Sequence, residues 1–229
     1  MRKPYYVFDL DGTLVESLPG IAAGLNLALA SLGKPTHSEQ AIRGMIGKGA
    51  TELCAQALGA KDSSELQAEQ VQKLLQAFSR EYAQTLDGDG TLVFDGIIPM
   101  LQELQTAGCK LAILSNKPQD PTERIAAAHF EGLSIAPVLG FSKDRFPRKP
   151  DPAALHFVAQ QWGISTSEIT LIGDSIHDAH TAHNAGSQLI LVNWGYSTQE
   201  ALLNWQAEHG TPIATSAENL AEILRRLRN

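Results

Sequence analysis

From about residue 96 onward the sequence alternates helical spacing with short apolar runs. That alternation restricts the fold to a parallel sheet with helices on both faces. Apolar residues three and four apart predict helices near 96–107, 121–130, 152–162 and 176–185. Short apolar runs predict strands at 110–114, near 137–139, at 169–172 and at 189–192. One more strand, at 5–9, precedes a row of helices without an intervening strand. The first helix starts at Ser17, read as its N-cap, and stops at Gly33; the others cover about 38–45, 50–58 and 64–86. A strand, then helices alone, then alternation describes an α/β fold: a doubly wound, Rossmann-like parallel-sheet core with an inserted all-helical cap domain. The expected division is 1–16 and 89–229 for the core and 17–88 for the cap, closed by the turn-rich run at 87–90.

Charge narrows the range of partners. The 229 residues carry a formal net charge of -7, which argues against general binding to nucleic acid or to a membrane surface. No apolar run approaches the roughly 20 residues that span a bilayer. The basic start of the chain runs into a strand containing Asp9 and lacks a small-residue cleavage site, so a cytoplasmic location is expected. The two cysteines, Cys54 and Cys109, have neither metal-ligand spacing nor a disulfide framework. An acidic chain that binds an anion must gather positive charge locally, through a metal or a few placed cations.

In doubly wound sheets, ligands bind beyond the carboxyl ends of the strands. Asp9 and Asp11 follow the first strand, Ser115 and Asn116 follow 110–114, and Asp174 and Asp178 follow 169–172; Lys149 comes after the short strand near 137–139. Three carboxylates brought together repel unless a hard cation lies among them. Mg²⁺ suits such a place because it takes oxygen ligands and needs only one or two carboxylates plus a phosphate. A lysine and a hydroxyl on the other side could hold further phosphate oxygens, as phosphoryl transfer requires. In the helical segment, the run 43–49 is a basic turn punctuated by glycines, with Arg43, Gly47 and Lys48 suited to binding an anion. His177, His180 and His183 lie three residues apart on one predicted helix. With no cysteine or fourth ligand in sequence reach they read as surface or packing histidines.

The run Asp9-Leu10-Asp11-Gly12-Thr13 resembles the first signature of the haloacid dehalogenase-like hydrolase superfamily. Leu114-Ser115-Asn116-Lys117 is similar to its second signature, Arg148-Lys149-Pro150-Asp151-Pro152 to its third, and Gly173-Asp174-Ser175 with Asp178 to its fourth. The resemblance implies a Mg²⁺-dependent phosphatase that works through an aspartyl-phosphate. It casts Asp9 as nucleophile and metal ligand, and Asp11 as general acid and base whose backbone carbonyl reaches the metal. Gly12 would give the backbone its tight turn beside the phosphate. Ser115 would donate to a phosphate oxygen, Asn116 would orient the nucleophile loop, and Lys149 would neutralise charge. Asp174 would ligate Mg²⁺ directly, and Asp178 would hold metal-bound water or Lys149.

The helical insertion and its 46–49 turn look most like the phosphoglycolate phosphatase-like subgroup, as do 115–118 and Asn193-Trp194-Gly195-Tyr196. That likeness implies a small phosphorylated metabolite, 2-phosphoglycolate, whose carboxylate Lys48 or Arg43 would pair. A phosphatase of a nucleotide, sugar phosphate or pyrophosphate, and a β-phosphoglucomutase-like phosphomutase, remain alternatives. A non-enzymatic relative would be expected to have lost Asp9, Asp11, Lys149 or Asp174, and all four are present. Either a monomer or a homodimer is compatible with the sequence.

Overall fold

The computed structural model describes residues 4–60, 68–86 and 90–228. In chain order its elements are β1 (Tyr5–Phe8), β2 (Val15–Glu16), α1 (Leu18–Ser31), α2 (Glu39–Arg43), α3 (Ala50–Ala57), α4 (Ala68–Tyr82), β3 (Leu92–Val93) and α5 (Ile97–Thr106). They continue with β4 (Lys110–Pro118), α6 (Gln119–His129), β5 (Ile135–Phe141), α7 (Ala153–Trp162), β6 (Ile169–Gly173) and α8 (Ile176–Ala185). The last are β7 (Gln188–Val192), α9 (Gln199–His209), β8 (Ile213–Ala214) and α10 (Ala217–Arg228). The chain forms two compact units. One ends its first segment at Val15 and resumes at Val93; the other is Glu16–Leu92. The expected turn at 87–90 and the first residues of the helix expected at 64–86 fall largely outside the described residues.

The larger unit is the expected α/β core. Among the described residues its sheet has six parallel strands in the order β5-β4-β1-β6-β7-β8. The order reverses beside β1, which is the switch point where such sheets open a crevice. Strand β1 pairs with β4 and β6 at once, and Phe8 lies opposite both Ile113 and Ile172. A strand with neighbours on both sides and helices on both faces must be apolar throughout, and Tyr6-Val7-Phe8 and all of β6 are buried. On one face Val7, Leu114 and Leu171 pack with Leu155 and Val158 of α7 and Ala182 of α8. Tyr6 Oη donates to the Leu224 carbonyl of α10 at 3.5 Å, and α10 packs against α5.

Two differences from the sequence reading bear on the site. Strand β4 does not stop at Leu114 but pairs with β5 as far as Pro118. Between the pairs Leu114–Leu139 and Pro118–Phe141, β4 carries more residues than β5, so the register shifts across 115–117. Such a bulge re-aims side chains, here Ser115, Asn116 and Lys117. Beyond residue 192 the chain adds α9, β8 and α10, which are not among the elements expected above.

The smaller unit is helical. Helix α1 packs against α4, which also packs against α3, and α1 meets α2. Close approach explains Gly24: a Cβ there would lie 3.0 Å from the Tyr82 Cα. Its core includes Leu25, Leu29, Ile42, Leu53, Leu74, Phe78 and Tyr82. Ser17 occupies the N-cap position of α1, but its side chain does not cap the helix. Glu16 Oε1 instead accepts from the Leu18 N–H at 2.9 Å.

Candidate active site

Asp9 is the residue after β1. Its N–H continues the ladder to the Ile172 carbonyl at 2.8 Å, so the sheet fixes the backbone that carries the carboxylate. The chain then turns tightly: Leu14 N–H and Val15 N–H both donate to the Leu10 carbonyl, and Gly12 N–H donates to Val15 O. Trp194 Nε1 secures the loop from outside through the Thr13 carbonyl at 3.2 Å. Gly12 needs to be glycine on two counts. Its φ is +79°, and a Cβ would lie 2.6 Å from Asp174 Oδ2.

Asp9 Oδ1 accepts from the Leu10 N–H at 2.7 Å and from Lys149 Nζ at 2.8 Å. Lys149 Nζ also donates to Asp178 Oδ1 at 2.7 Å and to the Leu114 carbonyl at 3.2 Å. The lysine itself is held by Asn116, whose Oδ1 accepts from the Lys149 N–H at 2.7 Å and whose Nδ2 donates to the Lys149 carbonyl at 3.3 Å. Asp178 is anchored in the first turn of α8, where it and Ser175 form a capping box, each accepting from the other's N–H. Asp174 Oδ2 accepts from the Tyr196 N–H at 2.6 Å. A side chain at Gly195 would collide with Asp174, and one at Gly173 with Asp178.

Oxygens of Asp9, Asp174 and Asp178 lie within 4.8 Å of one another, and all three residues are buried. It is the one group of acidic, histidine or cysteine side chains among the described residues that could hold a metal. Burial, with the charge of Asp178 next, pushes the Asp174 carboxyl up to about 7 against the pull of the Tyr196 N–H and Lys149. Burial and Asp178 likewise raise Asp9 well above the ordinary carboxylate range. Burial works against the charge on Lys149, but Asp178 and Asp9 outweigh it and raise its pKa. Three ionised carboxylates against one ammonium leave two negative charges, the charge a divalent cation balances, and the donors are all oxygen, as Mg²⁺ prefers.

The structure thus gathers Asp9, Asn116, Lys149, Asp174 and Asp178 through direct bonds, with Gly12 against Asp174. The Asp11 carboxylate pairs with a second lysine, Lys117, whose Nζ stands 3.2 Å from Oδ1. Ser115 Oγ accepts from the Lys117 N–H at 3.1 Å. Asn116 holds Lys149 from both sides of the residue, a task beyond the loop-orienting role its motif implies. The motifs give no role to Lys117, Ser175 or the Tyr196 N–H, and a backbone donor leaves no mark in a sequence. Arg43, Gly47 and Lys48 lie in the helical unit, at the end of α2 and in the turn before α3. His180 and His183 pack their rings around Trp205 of α9, and His183 also stacks on His209, which accounts for two of the three histidines as packing residues.

Comparison with known proteins agrees with this geometry. The model of the haloacid dehalogenase-like hydrolase family matches residues 6–192. A phosphoglycolate phosphatase of Pseudomonas savastanoi pv. phaseolicola is 34% identical over 226 residues, covering 97% of this chain and 76% of the relative. That of Vibrio parahaemolyticus is 33% identical over 225 residues, covering 95% and 92%. Among solved structures, a predicted phosphoglycolate phosphatase from Haemophilus somnus superposes with a TM-score of 0.85 at 27% identity, covering 98% of this chain and 99% of that one. The fold and the clustered acids define an enzyme of the phosphoric monoester hydrolase class. The chain belongs to the haloacid dehalogenase-like hydrolase family.

Proposed function

We propose that this enzyme is a Mg²⁺-dependent phosphatase of a small phosphorylated metabolite, 2-phosphoglycolate, and that it works through an aspartyl-phosphate on Asp9. The observation that carries the reading is the environment of Asp9. Its carboxylate is buried, its Oδ1 is fixed by two donors, and Lys149 and the acidic cluster stand beside it. A metal at this cluster would be held by Asp9 and Asp174, with the Asp11 backbone carbonyl as a further donor, and would supply charge neutralisation for the phosphoryl group.

In the first step an Asp9 carboxylate oxygen attacks phosphorus and the P–O bond to the alcohol breaks. Asp11 gives the departing alkoxide its proton. In the second step Asp11 takes a proton from water, whose oxygen attacks phosphorus, and the bond to Asp9 breaks to free phosphate and regenerate the carboxylate. Ser115 donates to a phosphoryl oxygen. Lys149, tied to Asp178, orients the nucleophile and opposes the burial and neighbouring charge that raise its carboxyl.

Specificity falls to the helical unit acting as a cap, through the 43–49 turn. Two cations there, Arg43 and Lys48, with Gly47 allowing close backbone approach, suit the carboxylate of a two-carbon acid. The relatives named for phosphoglycolate support this substrate. The test is phosphate release with and without EDTA, comparing 2-phosphoglycolate with sugar phosphates, nucleotides and pyrophosphate. A clear preference for 2-phosphoglycolate supports the substrate, and Mg²⁺-dependent release from all of them without preference removes it. Asp9→Asn should fold and show no turnover; activity retained in that variant would sink the covalent mechanism.

A further inference from the structure

The two aspartates of the turn after β1 are served by different lysines. Lys149 Nζ stands 2.8 Å from Asp9 Oδ1, and Lys117 Nζ stands 3.2 Å from Asp11 Oδ1. Lys149 also donates to Asp178 and to the Leu114 carbonyl, which commits it to the nucleophile's side of the site. Lys117 is fixed independently. Its N–H donates to Ser115 Oγ at 3.1 Å, its carbonyl accepts from Thr122 Oγ1 at 3.3 Å, and it lies in the bulged stretch of β4.

The Lys117 and Asp11 side chains are only 6% and 14% exposed. A charge withdrawn this far from water is strongly unfavourable unless it is paired. The pair therefore fixes where the Asp11 carboxylate points. A proton donor works only within hydrogen-bond reach of the leaving oxygen, about 2.6–3.2 Å.

We infer that Lys117 is a positioning residue, holding the Asp11 carboxylate in the orientation from which it exchanges protons with the leaving alcohol and the attacking water. This rests on the reading of Asp11 as acid and base. It divides the work of the two lysines: Lys149 serves bond formation at phosphorus, and Lys117 serves proton transfer.

Substituted phenyl phosphates of graded leaving-group basicity test the inference, since none carries a second anion that a cation could bind. With Mg²⁺ present, kcat/KM on these substrates reports the steps through departure of the phenol. Asp11→Asn should lose about 100-fold more on phenyl phosphate than on p-nitrophenyl phosphate, because the better leaving group needs no proton. Lys117→Met should show the same trend at about tenfold, and Lys117→Arg should return most of it. A Lys117→Met loss equal on all substrates, or none at all, overturns the inference while leaving the acid role of Asp11 intact. An Asp11→Asn loss that ignores the leaving group overturns the acid role, and the inference with it. Should Lys117→Met fail to fold, Lys117→Gln is read by the same trend.

Discussion

Asn116 grips Lys149 by its backbone: the Asn116 side chain accepts from the Lys149 N–H at 2.7 Å and donates to its carbonyl at 3.3 Å. A charged side chain delivered to Asp9 from a loop is only as well placed as its own main chain, so the amide acts on the chemistry at one remove. Asn116→Ala leaves buried backbone groups without these bonds and should cost about 1–3 kcal/mol of stability, read by urea denaturation. Turnover should fall further than stability explains, by about 100-fold, because an error of about 1 Å in the ammonium position has that effect. Phosphate release at saturating substrate measures it.

The acidic cluster makes stability depend on pH. Asp174 titrates at about 7 in the folded protein and near 4 when unfolded, so the fold binds more protons between those values. Without divalent cations, the contribution of this group is fully present below about pH 4 and declines as pH rises to about 7. The decline is roughly a few kcal/mol at most, each pKa unit being worth about 1.4 kcal/mol. Denaturation midpoints in EDTA should show it, and Asp174→Asn should flatten it. Mg²⁺ should restore stability most at neutral pH, where the cluster is ionised, and Asp174→Asn should lose that response too.

Gly12→Ala should be costly through two routes. The backbone at φ +79° strains any side chain, by about 1–2 kcal/mol. The new Cβ would also press on Asp174 Oδ2, so the Mg²⁺ concentration for half-maximal activity should rise about tenfold or more. A metal titration of activity separates the second effect from simple loss of stability.

Lys48→Ala tests the turn between α2 and α3. Loss of a charged hydrogen bond to a substrate carboxylate is worth about 1.5–3 kcal/mol, so KM for 2-phosphoglycolate should rise about tenfold or more. KM for p-nitrophenyl phosphate, which has no carboxylate, should change far less. Equal changes on both substrates would remove Lys48 from recognition.

The core and most of its polar residues were legible because the chemistry forces unusual local patterns. Asp9 ends an apolar run, where an unpaired carboxylate would be too costly without a task. Asp174 stands in the same relation to β6. Helix α9 was not legible, since only Leu202 and Trp205 of its residues are buried and no apolar period emerges. Without α9, the packing of His180 and His183 on Trp205 could not be read either. Helix α10 does carry a signal, with Ala217, Leu220, Ala221 and Leu224 on one face. The bulge in β4 arises from its pairing with β5, a relation between distant segments that local spacing does not encode. The same holds for the Lys117–Asp11 pair, which that bulge helps to aim.

The place of β1 in the middle of the sheet has a consequence for how the enzyme comes into being. Tyr5 lies opposite Lys110 on one side and Ile169 on the other, so the strand that leads into Asp9 is translated long before either flank exists. At about 5–20 residues per second, many seconds pass in which β1 has no partner. A nascent or truncated chain that ends before β6 therefore holds Asp9 and Asp11 but lacks Asp174 and the Lys149–Asp178 pair that surround Asp9 in the folded core. The buried cluster of Asp9, Asp174 and Asp178 is therefore completed only when the chain has grown past β6 and into α8.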